Sequence, residues 1–117
     1  MHIDELREYC LSLPYTREGL PFDQDTLVFY VGPKMFCLTS IDEYDGFNVK
    51  CDPELAIELR EKYPFVIPGF HMNKTHWNTI KVDSNPPINL LKEWIKHSYD
   101  LVFASLPKKT QNELKNK

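Results

Sequence analysis

The stretch Pro68-Gly69-Phe70-His71-Met72-Asn73-Lys74-Thr75-His76-Trp77-Asn78 gathers more turn-forming, polar and aromatic groups than any other part of this 117-residue chain. Proline fixes φ and removes a donor, and glycine admits positive φ, so Pro68-Gly69 ends whatever element comes before it. Two imidazoles, an ammonium, two carboxamides and an indole N–H follow within ten residues. From Trp77 the pattern becomes strand-like. The stretch therefore reads as a structured loop that feeds a strand, a common position for a binding site.

Outward from this loop the chain alternates between helical and strand-like patterns. Before it, Phe65-Val66-Ile67 is a short apolar strand, and Asp52-Pro53-Glu54 is a helix start with Asp as N-cap and Pro in the first turn. Leu55, Ala56, Leu59 and Tyr63 give that helix a buried stripe. Phe47, Val49 and Cys51 alternate with Asn48 and Lys50, the period of a half-buried strand. Residues 27–41 read as a hairpin about Gly32-Pro33, and residues 15–25 as turns with a short strand. Ile3, Leu6, Cys10 and Leu13 predict a first amphipathic helix, closed by Pro14. Beyond the loop, residues 77–82 predict a strand. Residues 88–105 predict a helix with Ile88, Leu91, Ile95, Ser98 and Val102 inward and Trp94, Tyr99 and Leu101 on its flanks. Leu106-Pro107 ends it, and the polar tail Lys108–Lys117 suits a further turn or two of helix. The expectation is one α+β domain over residues 1–117, a two-layer fold with an antiparallel sheet of about five strands and helices at both chain ends.

Composition narrows the function classes. No apolar run reaches the length of a membrane-spanning helix, and acids at Asp4 and Glu5 oppose a secretory leader, so a cytoplasmic protein without a membrane role is expected. Three cysteines without CxxC spacing read as reduced, buried thiols. The net charge of −3 opposes a protein that coats DNA, yet residues 1–67 sum to −7 and residues 68–117 to +4, so the C-terminal half could supply a positive face. Four unpaired glycines give no phosphate-cradling loop.

Several pieces together resemble the MmcQ/YjbR family of small bacterial proteins: Lys34-Met35-Phe36, Cys51-Asp52-Pro53-Glu54, Leu59-Arg60, the 68–78 loop, Ser98-Tyr99-Asp100-Leu101-Val102 and Leu106-Pro107-Lys108-Lys109. The resemblance runs nearly end to end. It implies a compact α+β fold like that of frataxin-like CyaY proteins, and a double-wing arrangement of hairpins that suggests DNA binding. The acids Asp42, Glu43 and Asp45, at what would be a wing tip, depart from that expectation because they repel phosphate.

The leading expectation is a non-catalytic DNA-binding protein. Lys34, Lys50, Lys74, Lys81, Lys108 and Lys109 would contact phosphate, and Asn73, His76 and Asn78 would supply polar contacts. The alternative is a protein- or peptide-interaction module that takes a partner strand along an exposed edge after the loop. No cofactor or metal is expected: His71 and His76 lack the convergent partners of a zinc site. No nucleophile–base–orienter set argues for an enzyme, and a monomer is favoured. Part of the loop is expected to be a structural clasp. His71, Trp77 and Asn78 would point inward against Ser98, Tyr99 and Asp100, with Asp100 locking Lys74, while Asn73, Lys74 and His76 would point outward.

Overall fold

Caps and hydrophobic spacing set the helices where the sequence places them. The computed structural model, which describes residues 1–116, has α1 at Ile3–Ser12, α2 at Pro53–Lys62, α3 at Ile88–Ser105 and α4 at Lys108–Lys115. Asp52 caps α2, its Oδ2 accepting from Leu55 N at 3.2 Å, and Pro53 occupies a first-turn position that needs no donor. The C-terminal tail folds as α4, with Lys117 outside the described residues.

The strands are β1 (Thr16–Gly19), β2 (Thr26–Val31), β3 (Lys34–Ser40), β4 (Gly46–Lys50), β5 (Val66–Pro68) and β6 (Trp77–Lys81). They form one antiparallel sheet in the order β1-β2-β3-β4-β6-β5. The sheet has six strands rather than the expected five or so. The short strand expected within residues 15–25 is β1, a Thr-Arg-Glu-Gly segment of low strand propensity that gains its place by pairing along β2.

The helices cover one face of the sheet. Leu27, Phe29, Val31, Phe47, Val49 and Ile80 point toward them and pack with Leu6 and Cys10 of α1, Ala56 and Leu59 of α2, and Leu91, Ile95 and Val102 of α3. A register shift after Phe29 turns the consecutive residues Phe36 and Cys37 into this core together. Trp94 and Tyr99, expected on the flanks of α3, are buried instead. Trp94 meets Tyr63 edge-on at 5.1 Å, and Tyr99 meets Phe36 at 5.5 Å. The opposite face carries no helix. Strand alternation puts Val28, Leu38 and Trp77 there, packed with one another and with Tyr30, Met35 and Met72.

Candidate functional site

The 68–78 loop joins β5 to β6 and is held at both ends and through its middle. Gly69 N donates to Trp77 O at 2.9 Å, and a Cβ at position 69 would lie 2.8 Å from Trp77 Cβ, so only glycine fits this approach. Asn73 Oδ1 accepts from Thr75 N and His76 N at 2.9 and 3.1 Å. Asn73 O accepts from Trp77 N at 3.0 Å. Lys74 Nζ crosses the loop to donate to Gly69 O at 2.9 Å. Phe70 is fixed by its backbone: its N donates to Thr79 Oγ1 at 2.9 Å and its O accepts from Asn48 Nδ2 at 3.3 Å. The Thr79 hydroxyl in turn donates to Asn48 Oδ1.

The clasp differs from the expected one in its main partner. Arg60 of α2 donates from Nε to Asn78 Oδ1 at 2.7 Å, and from Nη2 to Trp77 O at 3.2 Å and to Lys74 O. Asn78 is fully buried, with its Nδ2 reaching Ala56 O at 3.5 Å. It is therefore a structural residue and cannot also contact a ligand. Trp77 is buried too, but on the other face, because adjacent strand residues point oppositely. His71 is exposed, contrary to expectation. Its φ of 60° directs its ring outward, where it lies 4.0 Å from the Phe70 ring. Asp100 is also exposed. It pairs with Lys96 one helical turn away and not with Lys74. Ser98 and Tyr99 are ties of α3 rather than of the loop. Ser98 Oγ donates to Phe36 O at 2.6 Å and accepts from Lys50 N at 2.8 Å, while Tyr99 Oη donates to Pro14 O at 2.6 Å.

Strand register defines the helix-free face beside the loop. Arg17 stands opposite Tyr30, Tyr30 opposite Met35, and Lys50 opposite Trp77. The Arg17 guanidinium lies over the Tyr30 ring at 4.0 Å, and Phe70, 65% exposed, is anchored by its backbone over the Asn48–Thr79 pair, two residues along the strands from Lys50 and Trp77. Outward-facing strand positions carry the cations Arg17, Lys50 and Lys81 and no carboxylate. The acids lie at the other end of the face. Asp25 accepts from Ser40 Oγ and Asp42 N, both at 2.7 Å, and these donors hold its carboxyl below the ordinary range. Asp45 pairs with Lys81. The positive end thus draws Arg17 and Lys50 from the N-terminal half and Lys74 from the C-terminal half, so charge is sorted by place in the sheet and not by sequence half.

The other lysines named from the sequence do not converge on the loop. Lys34 sits on the helix side of the β2–β3 turn, with Nζ 3.4 Å from Ser105 Oγ, and Lys108 and Lys109 are exposed on α4. His76 is exposed, and its carbonyl accepts from Cys51 N at 2.8 Å. Cys10, Cys37 and Cys51 are buried free thiols. Burial raises Cys51 to about 11, and burial together with the neighbouring Cys10 raises Cys37 well above a normal thiol. No group of three or more His, Cys, Asp and Glu side chains converges to hold a metal, and no helix is long and apolar enough to cross a membrane, among the described residues.

The match to known proteins extends across both the clasp and the face. The family model described as YjbR matches residues 11–101. The chain belongs to the YjbR family. It is 33% identical over 112 residues to the YbdF protein of Escherichia coli O157:H7, covering 93% of this chain and 90% of that one. It is 28% identical over 115 residues to the YjbR protein of Escherichia coli K12, covering 97% and 98%. The YjbR-family fold is shared with the crystal structure of Deinococcus radiodurans protein DR2400, at a TM-score of 0.89 and 40% identity over 96% of this chain and 86% of that one. A Pseudomonas syringae crystal structure superposes with a TM-score of 0.74 at 25% identity, covering 86% of this chain and 98% of that one.

Proposed function

We propose that this YjbR-family protein is a non-catalytic DNA-binding protein whose contact surface is the helix-free sheet face at the loop end. One observation carries the reading: a chain of net charge −3 keeps Arg17 and Lys50 on outward strand positions at the loop end with no carboxylate among them, while Lys81, farther along β6, is paired with Asp45. Lys50 is the central cation, since no hydrogen bond or ion pair engages its Nζ among the described residues. Lys74 has a different part, holding the loop through Gly69 O. Lys34, on the helix side against Ser105, and Lys108 and Lys109 of α4 stand apart from this face and are left out of the contact surface. Strand addition loses its support: β6 is paired on both sides, and the remaining edge there, β5, has three residues and ends in Pro68.

Phosphate contacts release counterions, so affinity must fall as salt rises. Labelled DNA titrated at about 50 mM and about 200 mM salt should show binding that weakens steeply. Lys50→Glu should weaken binding further and flatten the salt slope by about 0.7–0.9 per lost phosphate contact. Absence of binding at micromolar protein in the lower salt contradicts the reading.

A further inference from the structure

Resting on that DNA-binding reading, we propose that the face takes an unpaired strand, with a base stacked on Phe70. Phe70 is a large aromatic left 65% exposed, its backbone is already fixed by Thr79 and Asn48, and its ring rests 4.0 Å from that of His71, so little backbone freedom remains to be lost on binding. On β1, across the same face, the Arg17 guanidinium is stacked on Tyr30, which leaves its outer plane as a second platform for a base. Lys50 lies between them and supplies charge for the phosphates of a strand crossing the sheet. The row from β1 to β6 spans about 19 Å at normal strand spacing, room for a few extended nucleotides.

A duplex finds no matching projection. A groove accepts a helix or a two-stranded ribbon. The β3–β4 turn carries Asp42, Glu43 and Asp45, which repel phosphate. Leu114 of α4 packs against Gly32 of the β2–β3 turn, with Glu113 of the same helix lining the cleft beside Arg17. The loop itself folds over the sheet rather than standing away from it.

The test is anisotropy of a labelled oligothymidine of about 12 nucleotides, within the footprint of single-strand-binding folds, beside its duplex with oligoadenosine. The single strand should bind at least about tenfold tighter than the duplex. Phe70→Ala should weaken the single strand about tenfold, as loss of one stacked base does, while Phe70→Trp keeps affinity. Phe70 is exposed, so melting temperature should stay unchanged in both variants. Duplex binding as tight as the single strand, or a neutral Phe70→Ala, overturns the inference and leaves DNA binding standing. Binding of neither probe instead removes the DNA-binding reading underneath it.

Discussion

Toward the helices, the sheet presents a closed core in which buried polar groups are tied: Asn78 to Arg60 and Ala56, Ser98 to Phe36 and Lys50. Away from them, the same strands present Val28, Leu38 and Trp77 as a small apolar patch, bordered by Arg17, Lys50 and the exposed rings of Phe70 and His71. Trp77 and Asn78 are neighbours in the chain and belong to different faces. One face holds the fold, because its groups have nowhere else to find partners. The other keeps charge and aromatic surface exposed, where stability does not require them.

The largest expected effect lies in the core. Phe36→Ala empties a fully buried site and should cost about 3–5 kcal/mol in urea denaturation. Trp77→Ala should cost less although it removes more atoms, because its patch borders solvent. Equal costs would erase the distinction between the faces. Next, Asn78→Ala leaves Arg60 without its side-chain acceptor and should cost about 1–3 kcal/mol, whereas Lys74→Ala, losing one bond on an exposed side chain, should cost under about 1 kcal/mol. The reverse order would show that the loop is held by Lys74.

The smallest effect is one of pH at the acidic end of the sheet. The Asp42 N–H and the Ser40 hydroxyl hold Asp25 below its ordinary value. A carboxyl depressed in the folded state contributes stability above its unfolded value, about 3.9, and loses it as pH falls through the folded value. The protection factor of the Asp42 amide, its exchange relative to the free-peptide rate at the same pH, should therefore fall in acid, and Asp25→Asn should remove most of that pH dependence.

The fold was legible where the signal was local. Alternation at 47–51, the Asp52-Pro53 helix start and the Leu106-Pro107 stop each act within a few residues, and each element stands where they put it. The site was legible in part. Asn73 and Lys74 are on the outside, and Trp77 and Asn78 are buried. Alternation cannot be carried back into a loop, however, and the positive φ of His71 breaks it. Asp100 found a partner one turn away on its own helix before any loop residue could reach it. Arg60 was missed as the clasp because its partners lie 14–18 residues along the chain in a different element. The hints were an arginine directly after the buried Leu59 and the place of Leu59-Arg60 beside the 68–78 loop among the pieces of the family resemblance. The face itself, an arrangement across β1, β2, β3, β4 and β6, exists only once the register is known.

The division between the faces is tested most directly by measuring melting temperature and single-strand affinity on the same two variants, Phe70→Ala and Asn78→Ala. Phe70→Ala should keep stability within about 0.5 kcal/mol and lose affinity for the oligonucleotide. Asn78→Ala should melt earlier and, at temperatures where it remains folded, keep more of the affinity than Phe70→Ala does. A Phe70→Ala protein that melts early and binds normally would contradict the account.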